Sequence, residues 1–363
     1  MMRKIIWTML LAAVMLASLA ACGGKNATPP ADDPEPDPVV DPELTPPPEP
    51  APEPDVPSGT NPLTGLPMEP ENMGNRPVAV MLNNLKAAQP QLGISQADII
   101  YEVTAEGGIT RMVGIYQTVE DIELLGSIRS TRPYYIELAL GHDAILVHAG
   151  GSQEAYGDLQ QWKVDRMDGV RGAEDAKIFW RDADRRRNNG YEHSLVTSGQ
   201  NIQDYIDRHF TKEHRSDYHY IQAFTEDGTP VEGAPAEQIS LRFSNYKTGT
   251  FAYDAASGQY LVGQYGGGHV DGSTGEQVAA TNVLVLETKI TVIDSEGRQR
   301  VQTTGEGQGT YFCGGKAVPI QWSRKDRNTP FAYTLENGKP LTLGQGKSYV
   351  CLISPKVSTL EYS

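Results

Sequence analysis

The stretch RPVAVMLNNLKAAQPQLGISQADIIYEVTAEGGITRMVGIYQ (76–117) decides the fold of this chain. Three runs in it, at 77–82, 97–103 and 110–117, are rich in Val and Ile and bounded by Gly, Pro or Asn, and they predict three strands. A fourth run, AILVHAG (144–150), follows a segment punctuated as a helix, with Pro133 near its start and Gly141 after its end. Strands that alternate with helices indicate an α/β arrangement.

Further helices are predicted from Ser152 to about Trp162 and after Ser198, because each serine stands where an N-cap is expected. From about Gln238 the pattern changes to short alternating runs separated by glycine-bearing turns, which is typical of an antiparallel sandwich or barrel. We therefore predict an α+β or α/β chain. An N-terminal α/β domain at 61–235 is followed by an antiparallel β-rich C-terminal domain at 236–363.

The first 22 residues predict export and lipid attachment. Arg3 and Lys4 precede an apolar run, and the sequence LAAC ends at Cys22. Small residues before a cut are typical of a secretory signal, and a leucine three places before a cysteine resembles the bacterial lipobox. We expect residues 1–21 to be a signal peptide and Cys22 to be lipidated, so that the protein is held at the extracytoplasmic face of the cell membrane. The alternative is an uncleaved span, but roughly 17 apolar residues fall short of the ~20 that cross a bilayer.

The lipidated cysteine opens a segment, 22–60, that predicts a spacer. Thirteen of the 36 residues at 25–60 are Pro, nine are acidic and none is aromatic, so the segment cannot bury enough apolar surface to fold. Without the leader's two cations and this segment's nine acids and one lysine, the formal net charge of −15 becomes −9 for residues 61–363. An acidic body argues against nucleic acid as a partner, because that binding depends on neutralising phosphates.

Five strings occur in one order along the α/β part: RPVAVMLNN (76–84), QPQLGISQADIIYEV (89–103), EGGITR (106–111), GSIRSTRPYYIELA (126–139) and VHAGGS (147–152). Together they resemble the YerB-like lipoprotein family, and the resemblance extends more loosely through NVLVLE and GQGTYFCGGKAVPIQW to cover most of residues 60–363. It implies an N-terminal α/β domain, a C-terminal β-rich domain and no assigned reaction. Members commonly have His-Asn before the third helix, whereas this chain has His193-Ser194.

The candidate ligand-binding residues are charged or imidazole side chains near glycine-rich turns: Glu106, Arg111, Arg129, Arg132, His148 and His193. Loops that follow strands of an α/β scaffold tend to bind ligands, and guanidinium forks suit carboxylate or phosphate. One hypothesis is therefore an anion-binding cleft. The alternative is a structural ion-pair network, in which Arg111 and Arg129 pair with carboxylates at positions 98, 102 or 106.

Other chemical patterns are weaker. Ser152 lacks the G-x-S-x-G context of a nucleophile elbow and is better explained as a helix cap. The pairs His142-Asp143 and His269-x-Asp271 do not supply three zinc ligands, so neither a metal nor a cofactor is expected. The run RDADRRRNN (181–189) predicts a solvated loop, and QYGGGHVDGSTG (264–275) predicts a flexible hairpin-like loop that serves as a connector.

Two cysteines remain in the body, Cys313 and Cys351. An even pair in an exported protein is consistent with a disulfide. Free cysteines are also commonly buried as small apolar side chains, so both interpretations are open.

Two functions are open at this point. The first is a non-enzymatic binding or scaffold lipoprotein that contacts an anionic cell-wall polymer or an envelope protein. The second is an envelope hydrolase that uses Glu106, His148 and His193 for acid–base chemistry, which requires two groups within reach of one substrate position. Arginine partners on Glu106 would favour the first. An open pocket that holds Glu106 and His148 without arginines would favour the second.

Overall fold

The structure is a computed structural model that describes residues 59–172 and 175–363. The predicted signal peptide, the lipidation of Cys22 and nearly all of the predicted spacer lie outside the described residues. The described residues all belong to one compact unit.

The α-helices of the described residues are short, and all of them lie between residues 70 and 209. They are α1 (Pro70–Met73), α2 (Pro133–Leu140), α3 (Gln153–Gln161), α4 (Ala183–Asn188) and α5 (Gly199–His209). The predicted caps of α3 and α5 are confirmed, because the side chains of Ser152 and Ser198 accept hydrogen bonds from the backbone N–H groups of Ala155 and Asn201.

The strands extend over both halves. They are β1 (Val78–Asn83), β2 (Ile99–Thr104), β3 (Thr110–Tyr116), β4 (Leu125–Gly126), β5 (Ile145–His148), β6 (Arg166–Asp168), β7 (Trp180–Arg181), β8 (Leu195–Thr197), β9 (Ala223–Thr225), β10 (Ala234–Pro235), β11 (Gln238–Arg242), β12 (Thr248–Asp254), β13 (Gln259–Gln264), β14 (Gly267–Gly268), β15 (Ala279–Ala280), β16 (Asn282–Glu287), β17 (Ile290–Val292), β18 (Gln299–Val301), β19 (Gly305–Cys313), β20 (Lys316–Arg324), β21 (Ala332–Leu335), β22 (Thr342–Gly344), β23 (Ser348–Ile353) and β24 (Thr359–Tyr362).

The central sheet of the described residues has 11 strands, in the order β10-β20-β19-β16-β23-β2-β3-β1-β5-β6, with β21 paired to β20. Strand β2, which comes early in the chain, pairs in parallel with β23, which lies near the C-terminus. Strands β1, β5 and β6 are also parallel to one another. A second, antiparallel sheet has the order β14-β13-β12-β11-β24, with β15 paired to β13. The predicted class, an α/β part followed by a β-rich part, is confirmed.

The boundary at 235/236 stays a prediction. Strand β10 ends at Pro235 and lies in the central sheet. Strands β16, β19, β20 and β23, all beyond the boundary, lie in that same sheet. Any division of the chain at this point therefore cuts through one continuous set of hydrogen bonds.

Two hydrophobic clusters cover the two faces of the central sheet. Alternate residues of β1 divide between them, with Val78, Val80 and Leu82 in one cluster and Ala79 and Met81 in the other. The first cluster continues into the second sheet and α5, and the second cluster continues into α2 and α3. The result is three layers with the central sheet in the middle.

The two cysteines are free, buried thiols, so the disulfide interpretation is wrong for this structure. Cys313 lies on β19 and Cys351 on β23, with β16 between them. Cys351 packs in the first cluster and Cys313 in the second, on opposite faces of the sheet. Both behave as small apolar side chains of the core.

The arginine run at 181–189 includes a helix rather than forming only a solvated loop. Asp182 caps α4 by accepting a hydrogen bond of 2.7 Å from the backbone N–H of Arg185. The guanidinium of Arg185 is buried and donates to the carbonyl oxygens of Ala88 and Pro90, both at 2.6 Å. The sequence alone indicated a solvated loop because the carbonyl oxygens that Arg185 contacts belong to residues far away along the chain.

The segment 264–275 begins with the predicted hairpin, formed by β13 and β14, but the rest of it is more ordered than a flexible connector. Its first residue ends β13, and Gly267–Gly268 form β14. His269 and Asp271 are buried, and the Asp271 carboxylate accepts hydrogen bonds from the backbone N–H groups of Gly93 and Ser95. These long-range hydrogen bonds fix the segment against the first half of the chain.

Candidate functional site

The predicted site residues gather where β1 and β5 end. Residues 127–131 run between these two strands: the N–H of Arg129 donates to the carbonyl of Met81 on β1, and the carbonyl of Arg129 accepts from the N–H of Ala149 just after β5. The carboxyl ends of parallel strands are where α/β sheets most often bind ligands. The structure therefore brings these residues together at the carboxyl ends of β1 and β5, and ligand binding there stays a prediction.

Three arginines and two glutamates form what we call the arginine cluster: Arg111, Arg129, Arg132, Glu106 and Glu192. Arg111 opposes Asn83 in the ladder of β3 with β1, and Arg132 is the N-cap residue of α2. Glu106 precedes two glycines whose φ angles of 68° and 76° turn the chain sharply between β2 and β3. The turn brings the Glu106 carboxylate to the arginines.

Glu106 is held by two of the arginines. Its Oε1 accepts a hydrogen bond of 2.5 Å from Arg132 Nε, and its Oε2 accepts one of 3.2 Å from Arg111 Nη2. Burial alone would raise the pKa of this carboxyl, but the Arg132 hydrogen bond and the charges of Arg111 and Arg132 together lower it below its usual value. Glu106 is therefore ionised at neutral pH and poorly suited to act as a general acid.

Arg129 pairs with Glu192, a partner that the sequence did not suggest. Arg111 also donates to the carbonyl oxygen of Ser130, at 3.3 Å. The Nε–H groups of Arg111 and Arg129 are buried and have no hydrogen-bond partner within the described residues. Three guanidinium charges thus face two carboxylates, which leaves a local excess of one positive charge in an acidic protein.

The two histidines lie beside the cluster and are held neutral. His148 is fully buried at the end of β5, with Nδ1 2.9 Å from the carbonyl oxygen of Gly150, and its Nε2 has no partner in the described part of the chain. Burial lowers the pKa of His148 in spite of the nearby Asp168 carboxylate. His193 Nδ1 lies 2.9 Å from Asn83 Nδ2, and burial also lowers its pKa.

Two predicted carboxylate partners do not join the cluster. Glu102 is buried and contacts Lys247 Nζ at 3.2 Å and the hydroxyl of Tyr349 at 2.5 Å. Asp98 accepts hydrogen bonds from Asn61 and from the backbone N–H of Gln117, and burial raises its pKa to about 6. Of the ion pairs predicted from sequence, only Arg111 with Glu106 forms among the described residues.

The remaining sequence patterns considered for chemistry are Ser152 and the histidine–carboxylate pairs. Ser152 caps α3, as expected, and accepts a hydrogen bond of 3.1 Å from the N–H of Ala155. Across residues 59–172 and 175–363, no group of three or more His, Cys, Asp or Glu side chains is arranged to hold a metal ion. Within the same ranges, every helix is too short or too polar to cross a bilayer.

Comparison with known proteins places the chain in a family. Residues 63–213 match the profile described as "Protein of unknown function (DUF3048) N-terminal domain", and residues 239–350 match the corresponding C-terminal domain. The chain belongs to the DUF3048 family. A relative from Bacillus subtilis (strain 168), named "Putative lipoprotein YerB", is 31% identical over 295 residues, which are 80% of this chain and 85% of the relative.

A solved structure of this family shows the same fold. The crystal structure of YerB protein from Bacillus subtilis has a TM-score of 0.72 at 27% identity, and it covers 83% of this chain and 99% of the crystallised one. The family resemblance that the sequence motifs indicated is therefore confirmed.

Proposed function

We propose that this DUF3048 protein is a lipid-anchored envelope protein that binds an anionic group of a cell-wall component at the arginine cluster, without catalysing a reaction. The sequence LAAC at 19–22 supports lipid attachment, and the name of the Bacillus subtilis relative is consistent with it. The Pro-rich acidic segment then holds the compact body at a distance from the membrane surface.

The observation that carries this proposal is the surplus of hydrogen-bond donors at the ends of β1 and β5. Within the described residues, the donors Arg111 Nε, Arg129 Nε and Ser127 Oγ are buried without partners. Burying a donor unpaired costs ~1–3 kcal/mol, so such groups are rare unless something else binds near them. All three lie on β3 or in the segment between β1 and β5.

An oxyanion matches this surplus. The side chains of Arg129 and Arg132 retain 20% and 13% exposure, so their guanidinium groups reach the surface. Arginine presents planar forked donors to carboxylate or phosphate. The neutral Ser127 hydroxyl adds donor capacity without adding charge. A phosphodiester or a carboxylate of the wall would meet this requirement.

The hydrolase alternative lacks a pair of free acid–base groups. Glu106 is engaged by two arginines, and His148 has no exposed surface. His193 contacts Asn83 through Nδ1. General acid–base catalysis needs groups within hydrogen-bond distance of one substrate atom, with pKa values near the working pH. The geometry therefore favours binding over catalysis.

Sedimentation with purified cell walls tests the proposal. The soluble chain from residue 25 to 363 should pellet with walls of the source organism, and Arg129→Ala should leave most of it in the supernatant. Arg242→Ala is the matched control, because Arg242 is exposed on β11 in the second sheet and its guanidinium hydrogen-bonds to Asn245 and Thr359 rather than to the cluster. Equal pelleting of all three proteins would contradict the proposal, as would failure of the unmodified chain to pellet.

A further inference from the structure

A buried polar triad joins the central sheet to the second sheet. It consists of Asn84, Glu102 and Lys247, and each of the three residues is at most 1% exposed. Asn84 follows β1, Glu102 lies on β2, and Lys247 lies in the turn between β11 and β12. A lysine is almost never fully buried unless it is paired, so the position of Lys247 has to be explained by the groups around it.

One oxygen of Glu102 contacts the nitrogen atoms of both other members. Its Oε1 lies 3.2 Å from Lys247 Nζ and accepts a hydrogen bond of 3.0 Å from Asn84 Nδ2. Thr110 Oγ1 donates to the same oxygen at 2.5 Å, and the hydroxyl of Tyr349 donates to Oε2 at 2.5 Å. These contacts fix the carboxylate between the amine and the side-chain amide, where it can take a proton from one nitrogen and give it to the other.

The side-chain carbonyl of Asn84 is polarised by two other amides. Asn84 Oδ1 accepts hydrogen bonds from Gln91 Nε2 at 3.0 Å and from Gln89 Nε2 at 3.2 Å. Two donors on one carbonyl oxygen stabilise the oxyanion that forms when a nucleophile adds to the carbonyl carbon. On the other side of the amide, Asn84 Nδ2 donates to Glu102 and to Thr110 Oγ1. The amide is therefore fixed in orientation and activated towards attack.

Aromatic and apolar side chains shield the amine from water. Lys247 Nζ lies 5.5 Å from the centre of the Tyr265 ring and 5.8 Å from the centre of the Phe243 ring. Phe243 and Phe251 both pack in the first hydrophobic cluster, and a Cβ built on Gly249 would lie 3.8 Å from Nζ. Exclusion of water strengthens the effect of each hydrogen-bond donor and prevents competing hydrolysis.

We propose that Lys247 and Asn84 react with each other to form an isopeptide bond within the chain. Glu102 accepts a proton from the Lys247 ammonium, and the lone pair of the neutral amine then attacks Asn84 Cγ. The bond from Nζ to Cγ forms, and the bond from Cγ to Nδ2 breaks as Glu102 passes a proton to Nδ2. Glu102 also takes the surplus proton from Nζ, and the departing ammonia carries it away as ammonium. The step needs no oxidant, reductant or other reactant.

The reaction needs only a local movement and links two distant parts of the chain. An attacking atom must come within ~3–3.5 Å of the carbon, and the amine and the amide already contact one carboxylate oxygen. Rotation in the flexible lysine stem closes the remaining gap. The bond connects the end of β1 to the turn before β12, and it constrains the unfolded chain as a disulfide does. The two free cysteines, on opposite faces of the central sheet, supply no such link.

Intact-mass spectrometry of the chain from residue 25 to 363, under denaturing conditions, tests the inference. We expect nearly all of the protein to be lighter than its sequence by one ammonia, about 17 Da. Lys247→Arg should keep the full mass. Lys356→Arg is the matched control at an exposed lysine, and it should lose ammonia as the unmodified chain does. A full mass for the unmodified chain, or the same loss in Lys247→Arg, would overturn the inference.

Peptide mapping of the unmodified chain locates the bond and does not depend on the folding of a variant. After digestion with trypsin, Asn84 and Lys247 should be recovered in one linked species, without cleavage after Lys247. An ammonia loss confined to one unlinked peptide would overturn the inference, because an asparagine can also lose ammonia by cyclising onto its own backbone. Glu102→Gln, which keeps the shape but cannot carry the proton, should lower the linked fraction at least tenfold. An unchanged fraction would overturn the role of Glu102 in the reaction.

Discussion

Replacing Arg111 by alanine should destabilise the protein far more than the same replacement of Arg129, although both belong to the arginine cluster. The Arg111 side chain is 5% exposed, and it donates to Glu106 at 3.2 Å and to the carbonyl of Ser130 at 3.3 Å. The Arg129 side chain is 20% exposed, and its partner Glu192 is 60% exposed. The first pair is sheltered from water and the second is not.

The magnitudes follow from this difference. Removing one partner of a buried ion pair costs ~3–5 kcal/mol, because a charge is left buried without compensation. Glu106 keeps Arg132 after the change, so we expect the lower end for Arg111→Ala, about 3 kcal/mol of unfolding free energy. A solvent-exposed pair contributes ~0–1 kcal/mol, so Arg129→Ala should cost less than about 1 kcal/mol.

Urea unfolding followed by tryptophan fluorescence measures the decrease in the free energy of unfolding for both variants. The chain from residue 25 to 363 is compared with each variant at neutral pH and low salt, in a buffer without phosphate. Arg242→Ala again serves as an exposed control. Equal costs for Arg111→Ala and Arg129→Ala, or a larger cost for Arg129→Ala, would refute the division of the cluster into a sheltered pair and an accessible arginine.

Three further predictions follow from the same structure. A 236–363 fragment should show no cooperative melt, because β23 loses its partner β2; a sharp transition by circular dichroism would contradict this. Burial lowers the pKa of His269 in the folded protein from 6.5 to about 3. Between these two values only the unfolded chain binds the proton, so the folded state loses stability as pH falls below 6.5. Between pH 7 and pH 5, the free energy of unfolding measured by urea titration should therefore fall by about 2 kcal/mol less in His269→Gln than in the unmodified chain. Cys22→Ser should abolish lipid labelling, and labelling that persisted would disprove the lipobox assignment.

The sequence predicted those parts of the fold that depend on local patterns. Strands β1, β2, β3 and β5 are apolar runs between turn residues, and α3 and α5 begin at serines that act as caps. Most of β19 was missed because Gly305, Gly307 and Gly309 interrupt its first half, and glycine weakens the strand pattern. Its long ladder with β20 stabilises it instead.

The partners of charged groups were predictable only at short range. Arg111 and Glu106 flank one tight turn, so their pairing follows from the local chain. Glu102 pairs instead with Lys247, from the other half of the chain, through contacts that no local pattern reveals. The parallel pairing of β2 with β23 is a similar case. Tertiary contacts between distant segments therefore decide what sequence patterns leave open.

Calorimetric titration of inorganic phosphate into the chain from residue 25 to 363 tests the anion-binding claim most directly. At low ionic strength we expect one saturable site, with affinity reduced at least tenfold in Arg129→Ala and unchanged in Arg242→Ala. The melting temperature should rise with phosphate only in the proteins that bind it, because a ligand of the native state stabilises that state. No saturable binding to the unmodified chain, or equal binding by Arg129→Ala, would contradict the account.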